Sequence, residues 1–521
     1  MPSFRLPHLA LSTWLAIALS LVAVGLSVDL SGRIFDRMPH IEDEMAYVWQ
    51  AQVFARGQLT TPSPPHANAF LVPFVVDFHG QRFGKYPPGW PAVLALGILL
   101  HARSWVNPLL AGLGVWLTYR LGQRLFGEAV ALLASLLTLL SPFFLMNSAS
   151  LLSHPLGLFL SLVFCLSWLD AWQDRPDLTS RQQKRLHTLS LLCASTSLGL
   201  LSITRPLTAI GVALPFAFHA VYLFITGKPA LRVRLLLFAL LTGVIASLLF
   251  LWQYAVTGNV FLNPYTLWWP YDKVGFGPGY GRASEGHNWH MAWVNLKYSL
   301  RVGQHDLFGW GGFSWIFLPF GALAIVIKKN FSAILPLLVL PALLFIYLFY
   351  WIGSGLFGPR YYYEGLFSAT FLTAVGIAFL AGWPISPAQP IKPRLGWKKA
   401  RPLIVTALVL FALSANLCFY LPIRLGGMKG LYGVSAARLR PFQTEQARSL
   451  TPALVIVHPQ RWTEYGALLD LSSPFLDSPW IFIRSIGANG DLQVADEFPH
   501  RTIIEYFPSD PYRLKVIREP R

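Results

Sequence analysis

Charge is scarce in this chain. Asp, Glu, Lys and Arg together make up 12% of its 521 residues, and only 24 of the charged residues are acidic. So little polar surface excludes a soluble protein of this length. Cysteine is scarcer still: the three, Cys165, Cys193 and Cys418, share no CxxC spacing. All three fall inside apolar stretches, which argues against a disulfide framework or a thiolate zinc site. No GxxxxGK[ST] is present, so nothing points to a bound nucleotide. Internal repeats and low-complexity stretches are absent as well.

What the chain has instead is apolar sequence, 54% of it, in blocks long enough to cross a bilayer. About eleven such blocks occur, near 9–28, 105–124, 129–146, 155–171, 188–204, 207–226, 235–256, 312–327, 332–352, 365–383 and 402–422. The first is longer than the apolar part of a signal peptide and reads as an uncleaved anchor. The predicted fold class is an α-helical polytopic membrane protein. Its domains are a transmembrane unit over 1–424, with external loops at 29–104 and 257–311, and a small α/β or β domain over 425–521. In that last segment Ala453–Val457, Ile481–Arg484 and Thr502–Tyr506 read as strands.

The net charge of +17 follows topology. With the N-terminus inside, the inward connections carry Arg120, Arg124, Arg175, Arg181, Lys184, Arg185, Lys228, Arg232, Arg234, Lys328 and Lys329. The last inward connection adds Lys392, Arg394, Lys398, Lys399 and Arg401. The short outward connections hold only Arg205 and Arg360. This positive-inside pattern predicts an extracytoplasmic C-terminal segment and makes a nucleic-acid partner unnecessary.

The middles of the apolar blocks hold almost no ionisable group, His219 being the nearest exception. Ion-coupled transport usually needs charge there. Candidate functional charges sit at the external helix ends instead. Glu42, Asp43 and Glu44 follow the first span; such carboxylates either cap a helix or supply a general base. After them Met45, Val48, Trp49 and Val53 share one helical face, predicting an interfacial helix with that face in the lipid boundary. Lys85-Tyr86-Pro87-Pro88-Gly89-Trp90-Pro91 predicts the start of a second interfacial or re-entrant helix. Lys85, Arg205 and Arg360 either snorkel to head groups or bind a lipid phosphate. For Arg205 the end of a helix is itself a sufficient reason; Arg360 opens a helix, where the dipole disfavours it. Tyr361 and its two neighbours suit a membrane belt, and His154 a turn beside the cavity. Glu285, His287 and His290 are the candidate metal set, with three-residue spacing and no further ligand. The expectation is therefore no cofactor, a divalent metal being the minority reading.

The order of these motifs resembles the GT-C glycosyltransferases: an acidic pair after the first span, KYPPG, the RP of Arg205-Pro206, and RYYYE from Arg360. It is most similar to the bacterial branch of the dolichyl-phosphate-mannose protein mannosyltransferase-like family, which also resembles the aminoarabinose transferases. The likeness covers about residues 9–422. It implies an inverting transfer of a sugar from a polyprenyl-phosphate-linked donor to a glycan, lipid or protein acceptor. The transfer would occur outside the cytoplasm, at a bacterial inner membrane. It further implies that Asp43, followed by Glu44, supplies the base, and that Lys85 lies near the donor phosphate with Arg205 and Arg360. Tyr86, His154 and Tyr361 would line the substrate cavity. The chain lacks the MIR repeats of eukaryotic mannosyltransferases, which argues against protein O-mannosylation. Two other classes fit the same composition: a non-catalytic lipid-glycan carrier or flippase, and a degenerate relative that binds polyprenyl phosphate without turnover.

Overall fold

A computed structural model describes residues 10–175, 178–386 and 400–521. Leu9, and Lys392, Arg394, Lys398 and Lys399 of the predicted inward charges, lie outside the described residues.

Each apolar block is helical. The first span is α1 (Leu11–Arg33). The stretch after it holds α2 (Glu42–Ala55), strands β1 (Thr61–Pro62), β2 (Val75–Phe78) and β3 (Gln81–Gly84), and α3 (Gly89–Leu99). The bundle continues with α4 (Val106–Phe126), α5 (Glu128–Leu139), α6 (Pro142–Ala149), α7 (His154–Trp172), α8 (Ser180–Ser202), α9 (Pro206–Thr226), α10 (Pro229–Ala246) and α11 (Leu248–Thr257). The loop after α11 contains α12 (Tyr265–Trp268) and α13 (Trp289–Asp306). Then come α14 (Leu318–Lys328), α15 (Ile334–Leu337), α16 (Val339–Ile346), α17 (Leu366–Ala381) and α18 (Ala400–Ala415).

Among the described residues eight helical stretches are long and apolar enough to cross a membrane, or nine if α5 and α6 count as one broken span bent by 59°. The break has a local cause: Pro142 cannot continue α5, and Ser141 Oγ accepts the Phe144 N–H to start α6 afresh. The two other expected spans, α4 and α8, are 21 and 23 residues long. Their ends predicted to face inward carry Arg120 and Arg124, and Arg181, Lys184 and Arg185, which dilutes their apolar character.

The α2 face differs from expectation. Met45, Val48, Trp49 and Val53 are all buried, but under protein instead of lipid. Trp49 and Val53 pack with Val72, Val75, Leu469 and Phe475, so loop and C-terminal residues cover the helix. Helical periodicity marks an apolar face; it carries no information on what covers that face.

The C-terminal segment is an α/β unit. Its sheet has the order β5-β4-β6-β7, with β4 (Ala453–Val457), β5 (Trp480–Arg484), β6 (Thr502–Tyr506) and β7 (Leu514–Arg518). The first three strands are parallel and β7 is antiparallel to β6. All five residues of β4 are buried, as expected for a central strand covered on both faces. Leu454, Ile456, Ile481 and Ile503 pack with Ala69 and Phe70 of the loop between α1 and α4, which docks this unit onto that loop. Arg56 meets Asp477 and Arg103 meets Asp470 across the same junction.

Candidate active site

The site begins with the way α2 starts. Glu44 closes its own helix: Oε2 accepts the N–H groups of His40 at 2.7 Å and Ile41 at 3.3 Å. Its Oε1 accepts Leu151 N–H at 2.7 Å, tying α2 to the turn before α7. Burial pushes its carboxyl up against the pull of His40 and these three donors. Glu44 does not line the cavity described below. Its neighbour lies ~100° round the helix and faces elsewhere. Asp43 Oδ1 accepts the Tyr86 hydroxyl at 2.8 Å, and its Oδ2 lies 3.5 Å from Arg360 Nη2. Burial works against the charge on Asp43, but Arg360, the Tyr86 hydroxyl and Lys85 together outweigh it and hold the carboxyl below its usual range.

Lys85 follows β3, where its N–H donates to Phe74 O at 2.9 Å. Its ammonium is buried, 3.2 Å from Asp272 Oδ2, 3.7 Å from the centre of the Phe74 ring and 4.5 Å from that of Trp269. Burial pushes Lys85 down from the usual lysine range, against Asp272 and Asp43. Asp272 Oδ1 accepts from Tyr350 Oη at 2.9 Å and Trp351 Nε1 at 3.0 Å. The next segment, Pro87-Pro88-Gly89, is pressed against the end of α8. A Cβ on Gly89 would lie 2.3 Å from Thr204 Oγ1, so glycine is required for this approach. That packing brings Lys85 and Arg205 to one chamber.

Arg205 sits between α8 and α9. Its Nε is 2.9 Å from Glu364 Oε1, its Nη1 donates to Ser153 Oγ at 3.1 Å and its Nη2 to Tyr347 Oη at 3.3 Å. Arg360 opens a 3₁₀ turn, Arg360–Gly365, that leads into α17. Its Nη1 is buried with no hydrogen-bond partner. Tyr361 stacks on Tyr347 with ring centres 5.1 Å apart. His154 is the first residue of α7, with Nδ1 3.7 Å from Glu364 Oε1.

These elements enclose a cavity of about 340 Å³ lined by Asp43, Lys85, Tyr86, His154, Arg205, Arg360 and Tyr361. Of the residues that the resemblance assigns to base, phosphate and cavity, Glu44 alone is absent from the lining. Sequence reasoning passed over Asp272, in the Gly- and Trp-rich loop, and Glu364, the last letter of RYYYE. Glu42, the first of the acidic cluster read from sequence, lines the cavity beside Asp43. The metal candidates lie elsewhere. His287 bonds Leu348 O at 2.8 Å, His290 and Glu285 are exposed, and no group of three or more potential ligands gathers among the described residues. Chemically, the cavity sets an ionised carboxylate among three cations within aromatic walls, an arrangement that can accept a proton and hold an anion at once.

No family model and no curated protein sequence matches the chain. Solved structures do. ArnT from Cupriavidus metallidurans bound to undecaprenyl phosphate superposes with a TM-score of 0.58 at 15% identity, over 95% of this chain and 93% of that one. Its apo state gives 0.57 at 16% identity, over 94% and 92%. The Archaeoglobus fulgidus oligosaccharyltransferase in the apo form gives 0.51 at 13% identity, over 89% of this chain and 64% of that one. Both neighbours have the GT-C fold, and with its several apolar helices this chain is a multi-pass membrane protein of that fold.

Proposed function

We propose that the protein is an inverting glycosyltransferase that moves a sugar from a polyprenyl-phosphate donor to an acceptor hydroxyl at the outer face of a bacterial inner membrane. The observation that carries this reading is the Asp43–Arg360 pair: a carboxylate held ionised beside a guanidinium whose Nη1 bonds nothing. Asp43 takes the proton from the acceptor hydroxyl as its oxygen attacks the anomeric carbon. The bond from that carbon to the phosphate oxygen breaks, and the leaving phosphate keeps the electron pair. Arg360, Lys85 and Arg205 stabilise the charge that develops there. The ArnT structure with undecaprenyl phosphate supports this class of donor. The acceptor, whether glycan, lipid or protein, would enter from outside.

A carrier or flippase would need the phosphate-binding cations but no base. Transfer of radiolabelled sugar from a polyprenyl-phosphate donor in proteoliposomes separates the two readings. Asp43→Asn retains size and hydrogen bonding, and its turnover should fall ~10²–10⁴-fold while donor binding survives. Near-normal turnover in this variant removes Asp43 from the role. Donor movement across the bilayer with no transfer at all would favour the carrier.

A further inference from the structure

Each cation of the cavity has its own carboxylate: Lys85 has Asp272, Arg360 has Asp43 and Arg205 has Glu364. Asp43 and Asp272 line the cavity, but Glu364 does not; it is fully buried behind Arg205. Taking a carboxylate out of water is costly, so its partners matter. Glu364 is 2.9 Å from Arg205 Nε and 3.7 Å from His154 Nδ1, and neither of its side-chain oxygens has a hydrogen-bond partner. In contrast to Glu44, it therefore ties down no backbone N–H of another residue. The α7 backbone makes room for it: a Cβ on Gly157 would lie 2.3 Å from Glu364 Oε1. Nor does Arg205 depend on it for orientation, since Ser153, Tyr347 and Thr208 hold the guanidinium at 3.1, 3.3 and 3.2 Å. In its ionised form, what Glu364 adds to this site is negative charge.

We propose that Glu364 is a built-in counter-ion of Arg205 that loosens the cavity's hold on the released lipid phosphate and so sets the rate of product release. The proposal rests on the reading of Arg205 as phosphate-facing. Transfer turns a phosphodiester carrying one negative charge into a phosphate monoester carrying up to two near neutral pH. An unopposed Arg205 would add to the grip on the product more than to the grip on the donor, and release would slow. A fixed carboxylate behind one of them lowers affinity for the dianion more than for the monoanion, because the electrostatic term scales with ligand charge.

The test uses two soluble probes on the full chain in nanodiscs: farnesyl phosphate, a monoester, and its methyl ester, a diester. Glu364→Gln keeps an oxygen facing Arg205 and removes the charge. It should bind the monoester roughly 10-fold tighter and the diester about 3-fold tighter. In turnover, kcat and KM should fall together, which a merely structural role would not produce. Glu364→Met removes the charge without a polar group to satisfy and should tighten in the same way; it carries the test if the Gln variant misfolds. In Arg205→Gln/Glu364→Gln the tightening should vanish. Unchanged or weakened monoester binding in both Glu364 variants overturns the proposal. If Arg205→Gln alone binds farnesyl phosphate like the wild type, Arg205 does not face the phosphate and the counter-ion role falls with it. If Arg205→Gln weakens binding while the Glu364 variants do not tighten it, only the counter-ion role is lost.

Discussion

Two adjacent carboxylates show how much depends on the direction of a single side chain. Asp43 faces the cavity and Glu44 is spent on backbone N–H groups, so their variants should separate cleanly. Glu44→Gln replaces one acceptor oxygen with a donor that meets N–H, and should cost about 1–3 kcal/mol of stability, read as a lower melting temperature with turnover per folded molecule largely retained. If Glu44→Gln instead loses turnover as Asp43→Asn is expected to, the base is Glu44. Arg360 allows a finer test. As a head-group anchor it should tolerate Lys, which snorkels equally well. As a phosphate fork it should not, because Lys keeps charge but loses bidentate geometry. Donor KM should rise in Arg360→Lys and further in Arg360→Ala, charge-assisted bonds being worth ~1.5–3 kcal/mol each. Wild-type kinetics in a well-folded Arg360→Ala would leave Lys85 and Arg205 to hold the phosphate. The same substitution has a pH signature. Arg360 is the largest of the influences that lower the Asp43 carboxyl, so its removal lets that value rise. The acidic limb of the kcat/KM profile should move to higher pH in Arg360→Ala, since a base loses activity as pH falls through its pKa.

At the scale of elements, α2 carries the proposed base at its first turn and is held in place by what packs on its far face. Trp49 is buried at 6% exposure against loop and C-terminal residues, whereas the Arg56–Asp477 pair is about half exposed on both sides. Trp49→Ala should therefore cost ~3–5 kcal/mol, and Arg56→Ala under about 1 kcal/mol, both read by thermal shift. The reverse ranking would mean that charge, not packing, fixes α2. What the sequence revealed and what it hid follow the same division. Apolar runs of span length and the strands Ala453–Val457 and Thr502–Tyr506 were legible because burial imposes a period or a run on the residues themselves. The partner of an apolar face was not, so α2 read as lipid-facing. The ion pairs of Asp272 and Glu364 left no trace for a different reason. Each carboxylate is paired with a cation far away in sequence, and such pairings have no local signature. β7 escaped notice because its alternating, partly exposed Leu514–Arg518 is a short polar edge.

For the whole molecule the remaining question is orientation, and the charges bear on it from both ends. Arg124, Gln173 and Lys328 come from separate predicted inward connections, yet the fold brings them to one hollow of about 430 Å³. Asn330 bonds Leu125 O at 2.8 Å and Gln173 approaches Ser332 at 3.4 Å, so these connections share one end of the bundle. The cavity with Asp43 is lined by residues of both the 29–104 and the 257–311 loops, the segments that the positive-inside pattern predicts outside. A donor whose sugar is consumed outside needs that cavity to face out. A reporter active only outside the cytoplasm should thus work when fused after Arg521 and fail when inserted in the 173–187 connection. The opposite pattern would turn the cavity to the cytoplasm. It would then face soluble nucleotide sugars, and the case for an extracytoplasmic transferase would fall however well Asp43 and Arg360 behaved in kinetics.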